Sequence, residues 1–99
     1  MERIRAFPGP ARQDIGYQLD RVQRGLAPRD WKPVRSVGPG VMEVRVHADN
    51  EYRVFYVAKF ERAVCVLHAF VKKTRKTSAA DIELGRKRYR ELVREGGLE

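Results

Sequence analysis

Apolar residues along this chain change their period twice. Ile15, Leu19, Val22 and Leu26 recur at helical spacing, Pro10 suits a first helical turn and Gly25 supplies a stop, which predicts a helix over about 10–24. Residues 1–9 read as a lead-in, and Pro28, Pro33, Gly38, Pro39 and Gly40 make 27–40 irregular. The period then drops to two. Met42, Val44 and Val46 take one face of a strand, and Glu43, Arg45 and His47 take the other. Strands are expected at 41–47, 52–59 and 63–72, with Ala48-Asp49-Asn50-Glu51 as a hairpin loop and Glu61-Arg62 at the next turn. The period lengthens again after Ser78 and Asp81, a capping-box-like start for a helix over about 79–95. Ile82, Tyr89, Leu92 and Val93 are expected against the sheet, and Arg86, Lys87, Arg90 and Arg94 toward solvent. Gly85 inside that helix points to close packing on the sheet, and Gly96-Gly97 begins a frayed tail. The expected fold class is α+β: a small antiparallel meander packed by an N-terminal and a C-terminal helix, as one domain over 1–99.

Composition narrows the partner. Charged residues make up 34% of the chain, and the formal net charge of +8 points first to nucleic acid, then to an acidic protein, then to an anionic membrane. The longest apolar run, Ala63 to Val71, contains His68 and is about half of what a membrane span needs, so no membrane partner is expected. Glu2, Arg3 and Arg5 do not fit a signal peptide. Cys65 is the only cysteine and lies within that apolar run; it reads as a small buried hydrophobe in a reducing, cytoplasmic setting. Trp31 reads as a lid on the core.

The chemistry is cationic. His47 and His68 have no metal-ligand spacing, no glycine-rich phosphate loop follows a strand, and Ser36 and Ser78 lack a His-carboxylate context; no metal or cofactor is expected. Arginine inside a strand needs an anion or a carboxylate to meet it. Arg45 and Arg53 come close on neighbouring strands, and the third strand runs into Lys72, Lys73, Arg75 and Lys76. Such a cluster could hold a phosphodiester while a 2′-hydroxyl attacks it, with arginine stabilising the non-bridging oxygens. A lysine crowded by other cations loses proton affinity and becomes able to shuttle protons. The competing reading is a solvated basic turn, with Arg45 paired to Glu43 or Glu51. By alternation His68 shares a face with Val64, Val66 and Phe70, which makes it a core histidine first and a catalytic candidate second.

A set of motifs carries a family resemblance: Phe7-Pro8, Gly16 and Gln23-x-Gly25 in the first helix, Gly38-x-Gly40-Val41-x-Glu43-Val44-Arg45, Tyr52-Arg53-Val54-x-Tyr56, and Val66-Leu67-His68-Ala69-Phe70-x-Lys72-Lys73-x-x-Lys76-Thr77. On these residues, over about 7–93, the chain resembles RelE/HigB-type toxins of bacterial toxin–antitoxin operons, in the phage-related branch. The resemblance implies a small antiparallel sheet flanked by helices, ribosome-dependent cleavage of messenger RNA, and neutralisation by a cognate helix-turn-helix antitoxin. By position, Arg53 resembles the strand arginine on the scissile phosphate, Lys73 the cation after the last strand, and Arg45 the basic residue on the preceding strand. Lys72 and Lys76, with Arg75 beside them, resemble contacts to messenger RNA or ribosomal RNA.

Two positions depart from the family pattern. Ala79 and Ala80 stand where some relatives carry a tyrosine, and only Met1 to Ala6 precede Phe7, too little for the usual N-terminal strand. Two other functions stay open: a toxin that inhibits DNA gyrase by protein contact, and a nucleic-acid-binding protein with a degenerate site.

Overall fold

The computed structural model describes residue 4 and residues 6–59 and 63–95. The Glu61-Arg62 turn, the charged positions at 2, 3 and 5, and the tail from Gly96 lie outside the described residues. Helix α1 spans Gly9–Gln23, followed by strands β1 (Trp31–Pro33), β2 (Val41–His47), β3 (Glu51–Lys59) and β4 (Ala63–Val71), and helix α2 spans Ala79–Arg94. The strands form one antiparallel sheet in the order β1-β2-β3-β4, so the expected α+β meander is present.

Helix α1 ends in a Schellman motif. Gly25, at φ 81°, donates its amide to Val22, and the amide of Leu26 reaches back to the carbonyl of Arg21 at 2.8 Å. That closure puts Leu26 beyond the helix and leaves it 51% exposed, so it does not continue the apolar stripe. Buried Gln18 then fixes the following loop by accepting the amide of Arg29 at 2.7 Å.

The segment expected to be irregular contains β1, whose Trp31 pairs with Val44 and Pro33 with Met42. Three residues are too few for alternation to register, and Pro33 is tolerated because β1 is an edge strand. Trp31 is 43% exposed and forms the wall of an apolar pocket instead of a lid on the core.

Each face of the sheet carries its own core. Ala11 and Ile15 of α1 pack with Val44, Val46, Tyr52, Val54, Tyr56 and Ala69. On the other face Phe55, Val57, Leu67 and Phe70 pack with Ile82, Tyr89 and Leu92 of α2. Helix α2 starts at Ser78, whose hydroxyl accepts the amide of Asp81 at 3.1 Å, as the capping pattern predicts. Gly85 sits directly over Phe55: a Cβ there would lie 2.9 Å from Phe55 Cδ2, which accounts for glycine inside the helix. Val93, expected against the sheet, is 47% exposed, and Cys65 is half-buried. Arg86 is not purely solvent-facing: its Nε donates to the carbonyl of Ser36 at 2.5 Å, tying α2 to the loop before β2.

One irregularity in β4 changes a face assignment. Tyr56 pairs with Val66 but Phe55 pairs with His68, so Leu67 is an extra residue in the strand. Val64 and Val66 therefore pack on the α1 side, whereas His68 and Phe70 lie on the α2 side. The expected common face for Val64, Val66, His68 and Phe70 is broken at this bulge.

Candidate functional site

Alternation builds the site. Glu43, Arg45 and His47 take every second position of β2, and Glu51 and Arg53 do the same on β3, in phase with Phe55 and Val57 of the second core. Arg45 and Arg53 are direct cross-strand partners, and His47 stands opposite Glu51. The expectation that the two arginines approach each other is met.

Their charges are answered within the fold. Glu43, only 1% exposed, places Oε1 3.1 Å from Arg45 Nε and 3.8 Å from Arg53 Nε. Glu51 Oε1 lies 3.4 Å from Arg53 Nη2 and 2.6 Å from His47 Nδ1. Asp30, in the segment before β1, lies 2.7 Å from His47 Nε2 and 4.0 Å from Arg45 Nη1. Carboxylates and cations thus alternate around a closed ring: Asp30, Arg45, Glu43, Arg53, Glu51, His47. The pairing of Arg45 considered from sequence is with Glu43, and Asp30 is its second counter-charge.

Burial within this ring is uneven. Arg53 is 6% exposed, and its Nε is buried with no hydrogen-bond partner among the described residues. Its remaining contacts are one bond from Nη1 to the carbonyl of Tyr52 at 3.1 Å and long bonds to Glu51. His47 and Glu51 lie at the rim, with side chains 53% and 45% exposed. The hydrogen bond to Asp30 is the main influence raising the His47 pKa above 6.5, against the burial that lowers it, and Glu51 adds to the rise. For Glu51, burial works toward the neutral acid, but His47 and Arg53 together outweigh it and hold the carboxyl below its ordinary value.

The basic loop joins this ring through the backbone. The amide of Lys72 donates to the carbonyl of Glu51 at 2.7 Å, which seats the start of the loop beside β3. Lys73, Arg75 and Lys76 are exposed, and Lys72 is half-buried. Thr74 Oγ1 donates to the carbonyl of Lys76 at 2.6 Å and tightens the turn. None of these four cations joins an ion pair among the described residues, in contrast to Arg45 and Arg53. Lys72, Lys73, Thr74, Lys76, Ser78 and Asp81 line a pocket of about 210 Å³.

His68 lies beneath this pocket. It is 3% exposed, stacks on Phe70 with ring centroids 5.0 Å apart, and bonds through Nε2 to Asp81 Oδ1 at 2.7 Å. Asp81 also accepts the hydroxyl of Ser78 at 2.7 Å, so β4 is laced to the first turn of α2. Ala79 and Ala80 are exposed at that turn. Tyr56 belongs to the α1 side of the sheet, where burial pushes its phenol pKa up.

Asp30, His47, Glu51 and Asp81 were not singled out by sequence reasoning as site residues. Alternating opposite charges on Glu43-x-Arg45-x-His47 and Glu51-x-Arg53 were a usable signal for His47 and Glu51. Asp30 had none, because its place depends on the unread pairing of β1. Asp81 was read only as a helix cap.

A second pocket, about 340 Å³ and apolar, lies between the end of α1 and the sheet, walled by Val22, Leu26, Trp31, Met42 and Tyr56. Among the described residues no cluster of His, Cys, Asp and Glu is placed to hold a metal ion, and no helix is long and apolar enough to cross a membrane.

Comparison with known protein families gives a match. The family model described as phage derived protein Gp49-like (DUF891) matches residues 2–90. The search of curated proteins found no match.

Proposed function

The chain belongs to the Gp49-like family of phage derived proteins, a toxin–antitoxin-type family associated with RelE/HigB-like toxins, and on that premise we propose that it is a toxin that cleaves messenger RNA on the ribosome without a metal ion. The observation that carries this reading is the cross-strand pair of Arg45 and Arg53, with the cations of the Lys72–Lys76 loop, in no ion pair among the described residues, beside it.

In this mechanism the 2′-hydroxyl gives up its proton to water as it attacks the adjacent phosphate, a 2′,3′-cyclic phosphate forms, and the bond from phosphorus to the 5′-oxygen breaks. Arg53, fixed on the central strand, stabilises negative charge on the non-bridging oxygens, and Arg45 supports it from β2. Lys73 delivers the proton to the leaving oxygen, standing on a loop short enough to hold its position yet open to the substrate. Lys72, Arg75 and Lys76 follow the flanking phosphates of messenger or ribosomal RNA. His68 serves from beneath: it holds Asp81 and thereby the loop that carries Lys73. The partner that silences the toxin is a cognate helix-turn-helix antitoxin, and the site of action is the cytoplasm.

The deciding experiment expresses the chain without an antitoxin and maps 5′ ends of cellular messenger RNA. Rapid arrest of translation with new cleavage ends inside ribosome-covered reading frames is the expected result. Arrest accompanied by DNA damage and intact messages would instead identify a gyrase inhibitor. Soluble protein with normal growth would leave only a nucleic-acid-binding role.

A further inference from the structure

The ring around Arg53 has a weak side, and it faces solvent. Arg53 Nε has no hydrogen-bond partner among the described residues, and both of its bonds to Glu51 are long, at 3.4 Å. The same Glu51 oxygen is held far more tightly by His47, at 2.6 Å. An anion that reaches Arg53 must come from the rim, where Glu51 is the half-exposed group that covers a 6% exposed guanidinium.

We propose that Glu51 occupies the phosphate seat of Arg53, and that His47 is the positioning residue that decides whether Glu51 holds that seat or is kept back at the rim. This rests on the reading above, in which the incoming anion is an RNA phosphate. The doubly protonated imidazole donates at both ends, Nδ1 to Glu51 and Nε2 to Asp30. Both carboxylates are then drawn outward, and the arginine forks are under-filled. Neutral imidazole carries one N–H only. Its bare nitrogen turns a lone pair toward one of the carboxylates, which is released. Glu51 then closes on Arg53, or Asp30 closes on Arg45 from its present 4.0 Å.

The carboxylates that face His47 act in this sense. Asp30 faces it from the segment before β1, Glu51 from β3, and Arg45 and Arg53 lie on the strands just behind. Glu43 remains buried between the arginines in both states, with Lys32 of β1 paired opposite it. Asp49, in the hairpin loop, is engaged by the hydroxyl of Tyr52. RNA affinity at the arginine pair is therefore highest below the His47 pKa and falls as pH rises through it.

The test uses the full chain and a single-stranded RNA of about ten nucleotides, fully 2′-O-methylated so that it cannot be cleaved. Affinity is measured from pH 5.5 to pH 8 for the parent, Glu51→Gln and His47→Gln. The parent should lose about tenfold in affinity across that range, the order of one charge-assisted hydrogen bond. Glu51→Gln should gain several-fold at pH 8 and little at pH 5.5, and His47→Gln should bind weakly with no pH dependence. An equal gain from Glu51→Gln at both pH values is what a simple charge effect gives, and it would overturn the gate.

A second measurement needs no variant. The Arg53 Nε–H resonance should shift with the same midpoint as the His47 ring protons, and again on adding the RNA. A response to RNA without any coupling to His47 refutes the gate alone. No response of Arg53 to RNA refutes the phosphate-binding reading on which it rests.

Discussion

Arg45 and Arg53 are paired directly across the β2–β3 ladder, and a single buried carboxylate, Glu43, lies within 3.1 Å of one and 3.8 Å of the other. Like charges at opposed ladder positions destabilise a sheet unless something screens them. Glu43 is that screen. It allows a cation pair to be built into a rigid hairpin before any substrate arrives, which is the preorganisation that charge stabilisation in a transition state requires.

Glu43→Gln should therefore weaken the fold. Two guanidinium groups would be left with only the rim carboxylates, and loss of one member of a buried ionic set costs about 3 kcal/mol. Urea unfolding monitored by circular dichroism measures the change.

Arg53→Ala and Lys73→Ala should separate rigidity from chemistry. Both should lose about 10²–10³ in cleavage rate. Only Arg53→Ala should lower the thermal midpoint, because it strips Glu43 of one partner, whereas Lys73 is exposed and has no ion pair among the described residues. Sequence alone treats the two substitutions as equally harmless to the fold; the burial of Arg53 removes that symmetry. Unchanged cleavage by Lys73→Ala at full folding would remove Lys73 from the mechanism.

His68→Ala should act mainly through structure. It deletes a buried ring stacked on Phe70 and the bond to Asp81, so the start of α2 loses its tie to β4. Amide hydrogen exchange should speed up over the first turn of α2 and the Lys72–Lys76 loop. Retention of parent exchange rates with cleavage abolished would make His68 a direct participant.

Gly85→Ala tests the closest approach of α2 to the sheet. Alanine is worth about 1 kcal/mol in helix propensity, but overpacking a filled core costs about 1–3 kcal/mol. The added methyl meets Phe55 at 2.9 Å and Val37 at 3.2 Å, both buried, so net destabilisation is expected in equilibrium unfolding.

Stability should also depend on pH through the rim pair. The His47 pKa is raised in the folded state, so its contribution is complete below 6.5 and disappears as pH rises through the folded value. The Glu51 pKa is lowered, so its contribution is complete above 4.5 and disappears as pH falls through its folded value. Between those ordinary values both are present. The thermal midpoint of the parent minus that of a His47→Gln, Glu51→Gln double variant should be greatest there. Exposure and salt keep the effect small, and high ionic strength should reduce it.

The legible parts of the fold were those with a sustained period. Strands β2, β3 and β4 and helix α2 were set within a residue or two by alternation, by the bulk of Tyr52 to Val57 and by the Ser78–Asp81 cap. Strand β1 was not legible, because Trp31-Lys32-Pro33 is a strand only by virtue of its pairing with β2. The same holds for the site. Arg45, Arg53 and the Lys72–Lys76 loop follow from where cations fall on the pattern. Asp30 and the sharing of Glu51 between His47 and Arg53 depend on distances between segments, which no local pattern encodes.

Leu67 resets the phase of its strand. Upstream of it, even-numbered residues of β4 face α1; downstream, even-numbered residues face α2. Removing Leu67 itself would restore plain alternation with Tyr56–Val66 and Phe55–His68 still paired, so His68 and Phe70 would keep their side of the sheet. Removing a residue beyond it, such as Ala69, would turn Phe70 away from Phe55 if the pairing upstream were kept. Along β4, then, the number of residues matters as much as their kind. A single deletion between His68 and Val71 would be felt where the basic loop leaves the strand, whereas the loss of Leu67 would not.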